Sequence, residues 1–347
     1  MTNTTVTSTT VTSATVTGAT VTRAAAGGVE REAVELSVVV PAFNEEQGIA
    51  AFLELLFGVL RSCCTHFEVW VIDDGSRDAT WKQLVAARAR YAELRGLRFT
   101  RNFGKEAAML AGLRSAAGRA VVVIDADGQH PPSVLPRMLE PWRAGRAQLV
   151  AAQKAAREGD SLGTRLNARF FNSLMRMLTG LELTAASDYR LLDRRVVDAL
   201  LAFPEKVRFF RGMTAWTGFS TEYVSFDVAP RIAGNSHWSG AQLAKLAVTA
   251  ISAYSAKPLG MILRLGLIGM VGAVVLLLQA LYSWFAGVAV SGWTSLTVVV
   301  LFFGSANLLG MGVLGIYLAQ LFDEIKARPE YLVGDELRQP DVTKAQA

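Results

Sequence analysis

Two short acidic segments each follow a run of apolar residues, and they hold the side chains best suited to chemistry. The segments are Asp73-Asp-Gly-Ser76 and Asp125-Ala-Asp-Gly-Gln129. In the second, an extended backbone would point Asp125, Asp127 and Gln129 in one direction. Closely spaced oxygens suit Mg²⁺ or Mn²⁺ bridging a diphosphate, and like charges beside an apolar run are costly without a cation. The pattern therefore predicts a divalent metal site with His130 beside it; a solvated turn is the alternative.

Two segments are candidates for nucleotide contacts. Asp73 and Asp74 end an apolar run, where they can accept hydrogen bonds from base and ribose groups; an Asp-Gly turn with a helix cap at Ser76 or Asp78 explains them equally well. The segment Pro41-Ala-Phe-Asn-Glu-Glu46 ends a strand and opens a helix, where backbone N–H groups and acidic side chains can face a ligand. Asn44 acting as a helix cap is the alternative there.

Several basic side chains together predict a site for a second phosphate. Lys105 stands at a helix start, Arg190 lies in a predicted strand with Asp188, and Arg165 and Arg169 are four residues apart on a predicted helix. Arg231 and His237 share a Gly-containing loop that could close over the site. Taken singly, Lys105 could be an ordinary surface charge, and any one arginine could belong to a structural ion pair. The prediction of a phosphate site therefore depends on several basic side chains occurring together.

Alternating strands and helices are needed to position these segments. Buried strands are predicted at 36–41, 67–73, 96–101, 120–125 and 148–153, and helices at 45–60, 79–93 and 106–116. This alternation predicts an α/β fold with a parallel sheet covered on both faces. Ligands of such sheets bind at the C-terminal ends of the strands, and the polar clusters of this region fall at those ends.

The rest of the chain divides by composition. Residues 1–33 are a Thr-rich repeat too poor in large side chains to build a core, and a disordered tail is expected. Residues 34–153 contain the predicted sheet, and residues 154–238 are richer in arginine. Residues 239–262 place apolar side chains on one helical face, which favours a helix lying on a membrane; a core-facing amphipathic helix is the alternative.

Residues 263–322 predict two membrane-spanning helices. No Asp, Glu, Lys or Arg occurs between Leu265 and Phe322, and a short turn at Gly287 divides this stretch. Each half reaches the roughly 20 residues that span hydrocarbon. Arg264, Lys326 and Arg328 flank the pair, and basic flanks favour the cytoplasmic side. The N-terminal region and a tail at 323–347 are therefore expected in the cytoplasm.

Composition excludes one class of protein and argues against another. The two cysteines, Cys63 and Cys64, are neighbours and poor disulfide partners, so a disulfide scaffold is excluded and reduced cytosolic thiols are expected. The net charge of +5 permits contact with phosphates or anionic lipid. Charges of both signs are mixed along the chain, which argues against nucleic-acid binding.

Five motifs in order resemble inverting glycosyltransferases of family 2. They are the three segments quoted above together with Arg101-Asn-Phe-Gly-Lys105 and Ser187-Asp-Tyr-Arg190. The similarity runs from about Leu36 to Phe322 and is to the branch of polyprenyl-phosphate glycosyltransferases, with C-terminal helices like those of bactoprenol glucosyltransferases. It implies a GT-A (Rossmann-like) fold with a C-terminal two-helix hairpin. Residues 34–153 would be its nucleotide-sugar half and residues 154–238 its acceptor half.

The resemblance also implies roles for individual residues. The nucleotide-sugar should contact Pro41, Phe43, Glu45, Asp73, Asp74, Lys105, Asp125, Ala126, Asp127, Gln129, Arg231 and His237. Asp127 and Gln129 match the metal ligands, with Asp125 beside them, and Arg231 matches an arginine that reaches the donor phosphates. The acceptor phosphate should meet Arg165, Arg169 and Arg190, while Asp188 would orient or activate the acceptor. His237 stands where the family usually has Lys, which removes a fixed positive charge.

The reaction implied is inverting sugar transfer from a nucleotide-sugar to a polyprenyl phosphate, with Mg²⁺ or Mn²⁺, in a homo-oligomeric enzyme of the cytoplasmic membrane. UDP-glucose is the favoured donor, followed by a UDP-N-acetylhexosamine and GDP-mannose. One alternative is a processive polysaccharide synthase, opposed by the two predicted spans and the lack of a Gln-x-x-Arg-Trp motif. Another is a non-catalytic nucleotide-sensing membrane subunit, opposed by the intact carboxylate motif.

Overall fold

A single mixed sheet organises the chain. The computed structural model describes residues 34–154, 186–205, 208–227, 257–287, 292–326 and 328–337. Within these ranges the strands are β1 (Leu36–Ala42), β2 (Phe67–Asp73), β3 (Leu94–Phe99), β4 (Ala120–Val123), β5 (Leu149–Lys154), β6 (Ala186–Asp193), β7 (Thr221–Phe226) and β8 (Val333–Leu337). Their spatial order is β7-β5-β6-β4-β1-β2-β3-β8.

Helices cover both faces of this sheet. They are α1 (Ile49–Cys63), α2 (Thr80–Arg88), α3 (Lys105–Ser115), α4 (Leu135–Arg143), α5 (Arg194–Ala202) and α6 (Phe210–Trp216). Side chains alternate along each strand, so Val38 and Val40 pack towards α1 while Val39 packs under α3. Burial on both faces explains why β1 is apolar except at Ser37, whose buried hydroxyl donates to Glu68 at 2.7 Å.

The sheet differs from the predicted one in the direction of two strands. β1 to β4 are parallel as expected, but β6 runs antiparallel between β4 and β5, and β8 runs antiparallel to β3. In β6, Arg190 is opposite Val123 on one side and Ala151 on the other. Residues from the predicted halves 34–153 and 154–238 thus share one sheet.

Gly75 allows two loops at the C-terminal edge of the sheet to touch. Its φ is +70°, and a Cβ there would lie 2.4 Å from the backbone carbon of Arg101. Gly145 is a matched control, because its φ is +71° and nothing lies within 4 Å of its Cβ position. We expect Gly145→Ala to cost about 1 kcal/mol and Gly75→Ala about 2–3 kcal/mol more, measured by chemical unfolding. Equal losses of unfolding free energy in the two variants would show that the close approach of Gly75 to Arg101 does not affect stability.

Two long helices, α7 (Lys257–Phe285) and α8 (Trp293–Ile325), lie between β7 and β8 in the chain. Leu259–Ser283 has a mean hydropathy of 2.5 and Phe302–Ala319 one of 1.5, so both are long and apolar enough to cross a membrane. Apolar side chains on both are exposed, among them Leu308 and Phe285. Residues 239–256 of the predicted interface helix lie outside the described residues.

The segment after α8 returns to the sheet. β8 pairs with β3, with Leu97 opposite Glu336, and Thr100 donates its backbone N–H to the carbonyl of Leu332. The sequence indicated only a tail at 323–347. The structure places part of it as an edge strand.

Candidate functional site

Loops after β1 and β2 interlock at the C-terminal edge of the sheet. The backbone N–H of Asn44 donates to Ser76 Oγ at 2.9 Å, and Asn44 Oδ1 accepts from the N–H of Arg77 at 3.0 Å. Asn44 has a φ of +54°, and α1 begins only at Ile49, with Gly48 as its cap residue. The interpretation of Asn44 as a helix cap is therefore wrong, because its side chain joins two loops.

Asp73 and Asp74 are buried and shape the same edge. Asp74 accepts from the backbone N–H groups of Phe103 at 2.7 Å and Gly104 at 2.9 Å, and burial raises its pKa. Asp73 accepts from the N–H of Ser76 at 2.8 Å. The Asp-Gly turn is confirmed by the positive φ of Gly75, and the nucleotide contacts of both carboxylates stay a prediction.

The other predicted nucleoside residues lie near the ends of two strands: Pro41 is in β1, Phe43 and Glu45 follow β1, and Ala126 follows β4. Pro41 and Ala126 are buried, Glu45 is half-buried and Phe43 is 41% exposed. Phe43 thus presents an aromatic face to solvent at the edge where ligands of such sheets bind.

Four charged side chains form a cluster at this edge, which we call the ionic cluster: Lys105, Asp125, Asp188 and Arg211. Lys105 Nζ lies 2.6 Å from Asp125 Oδ1 and 2.8 Å from Asp188 Oδ2. Arg211 donates two hydrogen bonds to Asp188, from Nε to Oδ1 at 2.6 Å and from Nη2 to Oδ2 at 3.1 Å. The structure thus joins the start of α3, the end of β4, β6 and α6.

The cluster fixes the charge state of its members. Burial opposes the charge of Lys105, but Asp125 and Asp188 outweigh it and raise the lysine pKa. Burial likewise opposes the charge of Asp188, but Lys105 and Arg211 outweigh it and hold the carboxylate pKa well below its usual range. A general base works best with a pKa near the operating pH. Asp188 is therefore suited to holding cations rather than to accepting a proton.

His130 is a neighbour of the cluster, as expected. Its Nδ1 lies 3.4 Å from Asp125 Oδ2, an electrostatic contact rather than a formed hydrogen bond. The buried ring packs against Tyr189 and Phe226. His130 thus closes one side of Asp125 while Lys105 occupies the other.

The segment after β4 turns instead of continuing extended. β4 ends at Val123, Gly128 has a φ of +74°, and the N–H of Gln129 donates to Asp127 Oδ1 at 3.0 Å. The expectation of three oxygens in one extended register is therefore wrong. Asp125 is held by Lys105, while Asp127 and Gln129 stay half-buried.

The oxygen atoms of Asp127 and Gln129 suit a divalent cation that a bound ligand would help to coordinate. In the described part of the chain, no three His, Cys, Asp or Glu side chains converge to hold a metal by themselves. Mg²⁺ is commonly held by one or two protein side chains, with phosphate and water oxygens completing its shell. The carboxylate of Asp127 and the amide of Gln129 match that chemistry, and the placing of a metal on them stays a prediction.

Among the predicted phosphate-binding residues, Arg190 is described and buried. It donates to Thr214 Oγ1 and to the carbonyl of Ser187, and burial lowers its pKa to about 10. To meet a phosphate, Arg190 would have to leave these partners. Arg165, Arg169, Arg231 and His237 lie outside the described residues.

Arg211 was missed by the sequence analysis although it grips Asp188. It stands in Arg208-Phe-Phe-Arg211, which matches no motif quoted above. Only its charge could have pointed to Arg211 in the sequence, because an arginine near buried segments needs a carboxylate partner.

Glu106 adds a titrating group next to the ionic cluster. Its Oε2 accepts from the N–H of Phe210 at 3.0 Å, and burial together with Asp188 raises its pKa to about 7. A folded pKa above the unfolded value of 4.5 gives stability that is present below pH 4.5 and lost as pH rises through about 7.

Glu106→Gln should remove this pH dependence. The amide still accepts from Phe210 and never ionises, so the variant should be more stable than the wild type above pH 7 by about 1–2 kcal/mol. Melting temperatures from pH 4 to 9 measure the difference, with exposed Glu54→Gln as control. Parallel profiles for Glu106→Gln and the wild type would contradict the assignment.

Comparison with known proteins agrees with this geometry. Residues 37–201 match the model of the family described as Glycosyl transferase family 2. An uncharacterized glycosyltransferase of Synechocystis sp. is 36% identical over 310 residues, which cover 87% of this chain and 95% of the relative. A prophage bactoprenol glucosyl transferase homolog of Escherichia coli is 37% identical over 306 residues, 86% of this chain and 98% of the relative.

A solved structure is also similar. Glucosyl-3-phosphoglycerate synthase from Mycobacterium tuberculosis, in complex with Mn²⁺, UDP-glucose and phosphoglyceric acid, is 23% identical, with a TM-score of 0.44 over 64% of this chain and 79% of that one. The relatives above, matched over most of both chains, confirm the family and the GT-A-like fold expected from the motifs. The chain belongs to glycosyltransferase family 2.

Proposed function

We propose that this protein transfers a hexose from a nucleotide-sugar, UDP-glucose first, to a polyprenyl phosphate at the cytoplasmic face of the membrane. The observation that carries the proposal is the ionic cluster, in which Lys105 binds Asp125, two residues before Asp127, and Arg211 binds Asp188. The bactoprenol name of the E. coli relative supports the lipid acceptor.

The reaction needs no strong base. The acceptor phosphate is already anionic, so its oxygen attacks the anomeric carbon in line, forming a C–O bond while the bond to the nucleoside diphosphate breaks. The configuration inverts. The lowered pKa of Asp188 agrees with this chemistry. A carboxylate that two cations keep ionised can orient neighbouring side chains, but it does not exchange protons near neutral pH.

Residues of this chain would bind both the diphosphate of the donor and the phosphate of the acceptor. Lys105 and Arg211 would bring positive charge to the phosphate groups, and because Nε and Nη2 of Arg211 bind Asp188, a phosphate would have to share that arginine with the carboxylate or replace it. Asp127 and Gln129 would hold a divalent cation, which supplies charge neutralisation for the leaving diphosphate. The side chains of Phe43 and Glu45 would bound the nucleoside.

The two apolar helices support a membrane setting for this reaction. Strands before α7 and after α8 belong to one sheet, so both ends of the helix pair must lie on one side of any membrane they cross. Arg264, Lys326 and Arg328 flank the pair and favour the cytoplasm for that side. A homo-oligomer is part of the proposal and is tested by native mass spectrometry.

The experiment is transfer of radiolabelled sugar to undecaprenyl phosphate by the purified full-length protein. UDP-glucose, UDP-N-acetylglucosamine and GDP-mannose are compared, each with Mg²⁺, Mn²⁺ or EDTA. An organic-extractable product from UDP-glucose that EDTA abolishes is the expected result. A polymeric product would indicate a processive synthase. Donor binding without a lipid product from any donor would overturn the proposal.

A further inference from the structure

We infer that Glu330 is a positioning residue that fixes the ionic cluster relative to the helix pair α7–α8. The substrate side of this inference rests on the proposed function. Glu330 follows α8, which ends at Ile325. Its Oε1 lies 2.9 Å from Arg208 Nε, and its Oε2 lies 2.7 Å from Arg114 Nη2. One carboxylate therefore binds two arginines from different parts of the catalytic domain.

Both arginines belong to elements that carry the ionic cluster. Arg114 is in the last turn of α3, the helix that begins with Lys105. Arg208 immediately precedes α6, the helix that carries Arg211. The two cations that hold Asp188 thus stand on helices that Glu330 joins.

The contact is built to be rigid. The side chain of Arg208 is only 8% exposed and that of Glu330 16%. Arg208 uses its remaining nitrogens on the carbonyls of Leu200 at 3.2 Å and Phe203 at 3.0 Å. This hydrogen-bonded and largely buried pair has little freedom to shift, while the second partner of Glu330, Arg114, has a side chain that is 42% exposed.

The residues around Glu330 hold the same segment to the sheet. The ring of Tyr331 stacks on Phe99, with centroids 4.9 Å apart and planes at 14°, and β8 pairs with β3 directly afterwards. Residues 328–337 are therefore held to the sheet. Because a lipid acceptor reacts at a depth set by the membrane, this attachment would determine where the cluster stands relative to the acceptor phosphate.

The experiment uses the full-length protein in lipid nanodiscs. Glu330→Gln keeps the size of the side chain and loses its charge. Asp335→Asn is the control, because Asp335 lies in the same segment, is 59% exposed and stands 3.6 Å from Arg98. The kcat/KM is measured with undecaprenyl phosphate in the bilayer and with citronellyl phosphate, a short acceptor, in solution. UDP affinity is measured alongside.

A positioning role predicts a split between the two acceptors. Glu330→Gln should lower kcat/KM about tenfold for the bilayer acceptor and less than about twofold for the short one, because misplacement affects only the acceptor fixed in the membrane. UDP affinity and the control variant should be unchanged. Equal losses for both acceptors with a lower melting temperature would reduce Glu330 to a structural residue and overturn the inference, as would unchanged kinetics.

A second readout does not depend on the reaction. Amide hydrogen exchange in α6 and in residues 328–337 should rise in Glu330→Gln and stay unchanged in Asp335→Asn. If the wild type transfers sugar to neither acceptor, the proposed function fails, and exchange then decides the inference. Unchanged exchange in α6 would overturn it.

Discussion

Replacing Asp127 by alanine is expected to lower sugar transfer by about a hundred- to a thousandfold, the size of effect seen when a group that stabilises developing charge is removed. Asp127 is half-buried on the turn after β4, and its Oδ1 accepts from the backbone N–H of Gln129 at 3.0 Å. We expect its carboxylate to share a cation with the diphosphate of the donor. Transfer to undecaprenyl phosphate at saturating donor measures the loss.

The matched control for this variant is Asp198→Ala. Asp198 is on α5, its side chain is 65% exposed, and it lies 3.8 Å from Arg194 in a surface pair. Both variants should melt at the wild-type temperature and remain in the membrane fraction. Binding of Mn²⁺ in the presence of UDP, followed by electron paramagnetic resonance, should be lost only in Asp127→Ala. Full activity in that variant would refute the metal assignment.

Replacing Lys105 by methionine is expected to reduce both turnover and stability. The substitution leaves Asp125 without the ammonium 2.6 Å away and leaves Arg211 as the cation beside Asp188 in the ionic cluster. Breaking a buried pair typically costs about 3–5 kcal/mol, and since the Lys105 side chain is 40% exposed we expect about 1–2 kcal/mol of unfolding free energy. Turnover should fall about a hundredfold because a phosphate loses its point charge.

A second substitution separates the two effects. Adding Asp125→Asn to Lys105→Met removes the unpaired carboxylate, so stability should return while turnover stays low. Lys82→Met on α2 is the control, because that lysine is exposed. Chemical unfolding and the transfer assay give both quantities. Recovery of turnover in the double variant would mean that Lys105 serves the fold and not the substrate.

The local parts of this molecule could be predicted from its sequence. β1 to β4 and the loops that follow them were located because apolar runs end in Gly, Asp and Asn, whose chemistry is local. Asp188 was assigned correctly to a strand for the same reason. These elements need only their own residues to be recognised.

The remaining features depend on partners far away in the chain. β8 has the sequence Val-Gly-Asp-Glu-Leu, which is poor in strand-forming residues, and it is a strand because β3 offers a free edge. Arg211 has its role because it binds Asp188, and Asn44 has its role because it is hydrogen-bonded to Ser76 and Arg77. Side chains of these types fit many surfaces, so their partners become visible only when the fold brings them together.

β8 has a consequence for the biosynthesis of the protein. The ribosome makes this strand after both apolar helices, so the edge of β3 stays unpaired until residues 333–337 have been made. An open edge strand is a template for aggregation, and nascent chains are therefore expected to need protection there. A chain that inserted only one of the two helices across the bilayer would strand residues 333–337 in the wrong compartment. If the two helices cross a membrane, β8 can therefore complete the sheet only after both have been inserted.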